Sequence, residues 1–300
     1  MAVTTVAIIA PGEMGHAVGA TLRAHGARVT TCLAGRGERS LTRAQTAGME
    51  VVTDDADLVR TADVFLSIVP PAAAAGLAER IAEAMRRAGA TPPYVDCNAI
   101  SPATAEVIGR TLADAGARLI DAGIIGGPPK PGTSGPRFYT SAHDVQAFLA
   151  LREFGLDIHP IGSRIGQASA LKMSYAALTK GLAALGSELL VAARLAGVSD
   201  ALAAELAASQ PQLLQWLARQ LPTFPPKAHR WVAEMEEIAD TFASHGLPDA
   251  TMKGAAEFYD FVARSPLGRE RPDERERAQT LDDVVETLTA ECFAPAQRGG

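Results

Sequence analysis

The sequence predicts an α/β fold in two parts, an N-terminal parallel-sheet domain over residues 1–163 and an all-α domain over residues 164–300. Three observations predict it. Short β-branched apolar runs alternate with helical stretches through the first part, the pattern of parallel βαβ units. The first run ends on a glycine turn that opens a helix. From Ile165 onward strand-like runs largely vanish, and residues 166–195 form a proline-free stretch rich in Ala, Leu and Ser.

Residues 3–10 (VTTVAIIA) read as a buried strand, and Met14 to His25 as a helix stopped by Gly26. Arg28 to Leu33 is a second strand, and Ser40 is the expected cap of a helix reaching Ala47. Strands follow at Glu50 to Thr53 and at Asp63 to Val69, the latter ended by Pro70 and Pro71. An Ala-rich helix then runs to Arg87, with a strand at Tyr94 to Cys97, a helix from Pro102 to Ala115 and a strand at Arg118 to Ala122. A Gly/Pro-rich stretch, Gly123 to Pro136, precedes a strand at Arg137 to Ser141, a helix near Asp144 to Glu153 and a strand near Leu156 to Ile161. One long buried helix is expected over 166–195, then helices near 199–221, 228–244, 248–264 and 278–292. The mixed-charge tract Arg264 to Arg277 reads as a solvated loop, and Ala294 to Gly300 as a frayed tail.

Composition narrows the function. The chain has 300 residues, 47% of them apolar, which is enough for a real core. A net charge of −6 argues against nucleic-acid or membrane-surface binding. No uninterrupted apolar run approaches the ~20 residues of a membrane span. The N-terminus reads as a strand, not a signal peptide. Three cysteines at wide spacing, without CxxC, argue against a disulfide framework or a zinc site and suit a reducing cytosol. The six histidines are scattered, so no metal site is expected.

Five motifs carry chemistry. Ala10-Pro11-Gly12-Glu13-Met14-Gly15 follows a strand and opens a helix, the setting of a dinucleotide-binding turn. A pyrophosphate there must rest on backbone N–H groups at the helix start, so side chains would block it. Ala10 replaces the first glycine, while Gly12 and Gly15 keep the second and third. At the end of the second strand Arg36, Arg39 and Ser40 are available where a ribose-binding acid would stand, which favours NADP(H) over NAD(H). Val69 and Pro70 end the fourth strand and are expected to line the cofactor, and the Asn98 amide to meet the ribose or nicotinamide. In Asp121 to Gly127, Gly123, Gly126 and Gly127 are expected to offer backbone to a polar substrate, with Ile125 among them. Lys172 is a cation on an otherwise apolar helix, with Tyr175 and Thr179 on its face and Lys180 further round. Partly desolvated, such a lysine would act as general acid in reduction and general base in oxidation, with Tyr175 sharing or orienting the transfer.

Together these motifs resemble the β-hydroxyacid dehydrogenase superfamily, which includes 3-hydroxyisobutyrate and 6-phosphogluconate dehydrogenases. The resemblance runs in order through nearly the whole chain. The family's GxGxMG is similar to Ala10–Gly15, its strand-end Asp and following turn to Asp96–Pro102, its DAPVSGG to DAGIIGG at 121–127, and its catalytic helix to Gly166–Tyr175. The chain is also similar to a 6-phosphogluconate-dehydrogenase-like subgroup with a PGEMGHAVG start and an ASALKMSYAALTKG helix. The resemblance implies a Rossmann-like first domain, a long connecting helix, an all-α second domain and a homodimer with intertwined C-terminal helices. It also implies that Lys172 is the catalytic lysine.

Two positions depart from the family. Ile125 stands where the family has a substrate-binding Ser, and Tyr175 or Ala176 where it has Asn. Imine reductases share the fold, usually lack the lysine and have more apolar pockets. Ile125 and Tyr175 lean that way, and Lys172 leans back. The expected function is therefore NADP(H)-dependent hydride transfer to or from a small hydroxy acid, alcohol or carbonyl. Imine reduction is the second reading, and a non-catalytic NADP(H)-responsive binding protein the third.

Overall fold

The computed structural model describes residues 3–129, 135–272 and 275–293. The expected tail at Ala294–Gly300 lies outside them. By its contacts the chain forms two compact units, Met1–Ser174 and Tyr175–Gly300, so the division falls inside the long helix.

The first unit is built on one eight-stranded sheet in the order β3-β2-β1-β4-β5-β6-β7-β8. The strands are β1 (Thr5–Ile9), β2 (Arg28–Cys32), β3 (Glu50–Val52), β4 (Val64–Ser67), β5 (Tyr94–Asp96), β6 (Leu119–Ile125), β7 (Arg137–Ser141) and β8 (Asp157–Gly162). The first six are parallel. β7 pairs antiparallel to β6, and β8 runs parallel to β7.

Helices α1 (Glu13–Ala24), α2 (Glu38–Thr46), α3 (Asp55–Thr61), α4 (Ala74–Ala88), α5 (Pro102–Ala113) and α6 (Gln146–Leu149) connect the strands. Alternation along β1 shows why both faces are covered. Val6 and Ile8 pack with Val18 and Leu22 of α1 on one face. Ala7 and Ile9 pack with Leu77 and Ile81 of α4 and Ile108 of α5 on the other. Burying each of these larger aliphatic side chains is worth roughly 1.5–3 kcal/mol.

Several elements differ from expectation. Ser40 is not a cap: α2 begins two residues earlier, with Gly37 at its N-cap. α3 was not expected. Only Leu58 and Val59 of it are buried, and its start is capped by the Asp54 carboxylate accepting from the Asp57 N–H. β6 extends through Ile125, so Gly123 and Ile125 are strand residues and the turn begins at Gly126. The helix expected near Asp144–Glu153 is the short α6 followed by a 3-10 turn at Ala150–Phe154.

α7 (Gln167–Leu195) is the one described helix long and apolar enough to cross a membrane, a property no unbroken apolar run revealed. Half of that apolar window is buried inside the fold.

The second unit contains the rest of α7 with α8 (Ser199–Ser209), α9 (Pro211–Gln220), α10 (Ala228–Ser244), α11 (Ala250–Arg264) and α12 (Leu281–Glu291). The stretch expected as one helix over 199–221 is two, because Gln210 leaves helical geometry and Pro211 starts the next. Phe224, Trp231 and Tyr259 form an aromatic centre, with ring centroids 5.2–5.6 Å apart. Lys180 reaches into it, pairs with Glu234 and lies over the Trp231 ring. The tract after α11 is more than a solvated loop: Ser265 and Leu267 are buried, and the Glu270 carboxylate accepts from the Glu276 and Arg277 N–H groups.

Candidate functional site

Three chain segments meet at the carboxyl ends of β1, β4 and β5, where the strand order reverses between β1 and β4. Crevices of this kind receive ligands in open parallel sheets. The β1–α1 turn has the geometry that a pyrophosphate needs. Gly12 is the N-cap of α1 and supplies no side-chain cap, so the first-turn N–H groups are left to other acceptors. A Cβ at Gly12 would have no protein atom within 4 Å; it would stand in the open space before the helix. Gly15 has a different reason. A Cβ there would lie 2.0 Å from the Ala10 carbonyl oxygen, so only glycine lets α1 pack this close to β1. Pro11 is buried, and Glu13 and Met14 are half-buried on the first turn of α1. These features fit a dinucleotide.

The β2–α2 turn stands beside it. Gly35 takes φ +72° and the Arg36 N–H bonds the Leu33 carbonyl, closing the turn. Arg36 and Arg39 are exposed, and Ser40 is half-buried in the first turn of α2. No side chain caps α2 either. Two arginines and an uncapped helix start thus stand together at this turn.

Asn98 is placed at this end of the sheet, but its amide does not face outward. Its Nδ2 donates to Ser67 Oγ (2.8 Å) and Asp96 Oδ2 (2.9 Å), while its Oδ1 accepts from the Val69 N–H (2.7 Å). Both amide protons are spent, so the expected contact with ribose or nicotinamide is corrected. Asn98 is a brace that holds the ends of β4 and β5, and with them Val69 and Pro70, in place.

Two buried carboxyls lie in register on adjacent strands, Asp96 on β5 and Asp121 on β6. Burial pushes Asp96 from the ordinary carboxylate range up to about 7, against hydrogen bonds from Asn98 and with a further push from Asp121. Burial raises Asp121 too, while hydrogen bonds led by Ser169 pull it back. Sequence reasoning saw Asp121 only as the start of a glycine motif. Its signal was an aspartate inside an apolar strand, since acids are almost never buried without partners.

Lys172 lies on the sixth residue of α7, and its Nζ donates to the Ile124 carbonyl at 2.7 Å, near the carboxyl end of β6. Gly123 makes this approach possible. A Cβ there would lie 2.9 Å from Lys172 Cβ and 3.0 Å from the Ala168 carbonyl oxygen. The expected substrate role of Gly123 is therefore corrected to close packing of α7 on β6. Ile125 is buried. Gly126 turns the chain at φ +123°, and Gly127 is exposed with open space around it. Residues 130–134 of the same stretch lie outside the described residues.

Tyr175 and Thr179 follow on α7, in the second unit. Tyr175 is 45% exposed. The Thr179 hydroxyl donates to the Tyr175 carbonyl within the helix. A separate cavity of about 510 Å³, lined by Arg110, Arg118, Leu119, His143 and Ile165 among others, lies at the opposite, N-terminal end of β6.

Comparison with known proteins agrees with this geometry. Residues 5–144 match the NAD binding domain of 6-phosphogluconate dehydrogenase. Residues 193–262 match a domain of unknown function, DUF1932. An uncharacterised 28.5 kDa protein of Methanothermus fervidus is 29% identical over 227 residues, covering 75% of this chain and 86% of that protein. A conserved protein of unknown function, MTH1747, described as structurally similar to 3-hydroxyacid dehydrogenases, is 28% identical with a TM-score of 0.66, covering 86% of this chain and 96% of that one. 3-Hydroxyisobutyrate dehydrogenase of Mycobacterium tuberculosis has a TM-score of 0.70 at 19% identity, over 95% and 99% of the two chains. The fold extends to an imine reductase of Streptomyces aurantiacus, with a TM-score of 0.53 at 18% identity over 94% and 99%. At the last two identities the fold alone is shared.

Proposed function

From the match of residues 5–144 to the NAD binding domain of 6-phosphogluconate dehydrogenase, we propose that the protein is an NADP(H)-dependent oxidoreductase acting on a small hydroxy acid, alcohol or carbonyl compound. The observation that carries the reading is Lys172. A cation on an apolar helix is held by the Ile124 carbonyl near the carboxyl end of the sheet that binds the dinucleotide.

A nicotinamide dinucleotide held here would supply or accept the hydride. The chain does the rest. The N–H groups at the start of α1 hold the pyrophosphate, with Gly12 keeping the approach open. Arg36, Arg39 and Ser40 hold the 2′-phosphate through charge-assisted bonds. Lys172 gives a proton to the substrate oxygen in reduction and takes it back in oxidation. Its anchor on Ile124 fixes Nζ while the proton moves. The backbone N–H groups of Gly126 and Gly127 hold the polar end of the substrate, and Tyr175 orients it.

Replacing Lys172 with Met tests the assignment. Turnover on a hydroxy-acid and carbonyl panel should fall roughly 10²–10⁴-fold with NADPH affinity unchanged. Unchanged turnover removes the mechanism. Ile125, apolar where a polar substrate contact was expected, supports imine reduction as a second reading, and cyclic imines in the same panel separate the two. Tight NADPH binding with no turnover on any member would favour a cofactor-responsive binding protein.

We further propose a homodimer in the cytoplasm. Tyr175, Leu178, Leu182, Leu185 and Leu189 recur on α7 at alternating spacings of three and four residues, with Leu178 60% and Leu185 57% exposed. Such a seam suits a second helical surface. Leu178→Glu combined with Leu185→Glu should convert a dimer to a monomer in sedimentation equilibrium; a wild-type monomer would refute it.

A further inference from the structure

We infer that Asp121 is a positioning residue for Lys172, a role that rests on the reading of Lys172 proposed above. The Asp121 carboxylate accepts five hydrogen bonds. Oδ2 takes the N–H groups of Gly166 (2.9 Å), Ala168 (3.0 Å) and Ser169 (3.1 Å) and the Ser141 hydroxyl (3.1 Å), and Oδ1 takes the Ser169 hydroxyl (2.6 Å). Three of these donors are backbone amides at the start of α7, groups that a helix cannot satisfy from within itself. The cap therefore comes from a strand, 45 residues earlier in the chain for Gly166.

The consequence is geometric. Asp121 ties the first turn of α7 to β6, and Gly123, two residues on along the same face of that strand, lets the next turn settle against it. Lys172 is then delivered to the Ile124 carbonyl. Ser141, at the end of β7, reinforces the joint, since its Oγ also accepts from the Ala168 N–H at 2.9 Å. An ionised carboxylate suits this set because every partner is a donor. An asparagine would lose the charge and keep a single acceptor oxygen for this set of donors.

The test reads the joint directly. In Asp121→Asn, hydrogen exchange at the amides of Gly166, Ala168 and Ser169 should accelerate about tenfold or more, with exchange in β1 and β4 unchanged. Acetylation of Lys172 by a small reagent, followed by peptide mass spectrometry and normalised to the exposed Lys253, should rise about threefold. NADPH affinity should stay put. In any substrate assay kcat should fall more than KM changes. Ser169→Ala, which removes only one hydroxyl donor, should shift exchange and labelling in the same direction by less, and it carries the test if Asp121→Asn does not fold. Unchanged exchange and unchanged relative labelling in a folded variant would overturn the inference. If Lys172→Met keeps full turnover while Asp121→Asn loosens the helix start, the joint stands and the chemical role of Lys172 falls.

Discussion

The first unit contains two helix starts that solve the same problem in opposite ways. At α1 the N-cap is Gly12, no side chain caps the turn, and the space beyond is open. At α7 the amides of Gly166, Ala168 and Ser169 converge on the buried Asp121 carboxylate. One helix start leaves its amides open to an acceptor from outside. The other carries its anion within the fold. The difference separates a binding element from a positioning element, although both use the same backbone groups and the same helix field.

Asp96 gives the largest test, because it is a buried carboxyl beside Asp121 without a helix start of its own. Its raised folded pKa of about 7 favours the protonated form, so its contribution to stability is full below the unfolded value near 4 and is lost as pH rises through about 7. The shift corresponds to about 4 kcal/mol as an upper figure. The difference in unfolding free energy between wild type and Asp96→Asn should therefore change by a few kcal/mol between pH 4 and pH 8, in favour of the variant at high pH. A flat difference would show that Asp96 stays ionised throughout.

Gly15→Ala comes next. Its Cβ would meet the Ala10 carbonyl, a backbone atom that cannot swing aside, so denaturant unfolding should show a loss of about 3 kcal/mol, together with lost NADPH binding. Gly12→Ala sharpens the contrast with Gly15. The same added methyl enters open space, so stability should stay within about 0.5 kcal/mol. NADPH affinity should still fall roughly tenfold to a hundredfold by titration calorimetry, since the methyl obstructs approach to the helix amides. Equal effects on stability at the two glycines would break the distinction between space kept for a ligand and space kept for packing. The smallest effect is expected from Arg36→Ala, about tenfold weaker NADPH with NADH little changed. An equal loss for both cofactors would remove the argument for NADP(H).

Much of the sheet was legible because its residues carry a local signal. β1 and β4 are short, largely apolar runs bounded by turn residues, and Gly12 and Gly15 sit in a recognisable strand–turn–helix. Direction was not legible: nothing in Arg137–Ser141 says that β7 runs against β6. α3 escaped because its seven residues include two acids and bury only two side chains. Ser40 misled because a hydroxyl near a helix start resembles a cap, while Gly37 leaves the start uncapped. The sequence shows Asn98 after a strand end and Asp121 at the start of a glycine motif. Their roles depend on partners 29 to 48 residues away, and no local pattern contains those. Gly123 reads in sequence as backbone offered to a substrate, whereas in the fold it is the point where α7 packs closely on β6.

The reversed strands β7 and β8 carry the chain back toward the beginning of β6, so that α7 can start beside Asp121 and advance along the strand. From Asp121 to Ile124 is three residues of strand, about 10 Å. From Gly166 to Lys172 is six residues of helix, about 9 Å. Strand and helix act as two rulers of nearly equal length, zeroed at the same carboxylate and read at the same ammonium group. One residue inserted between Ser169 and Lys172 would advance the second ruler by about 1.5 Å and rotate its pointer by about 100°. The same insertion before Arg164, in the connection from β8, would leave the reading unchanged. Tolerance to insertion along this chain should therefore follow the calibrated interval.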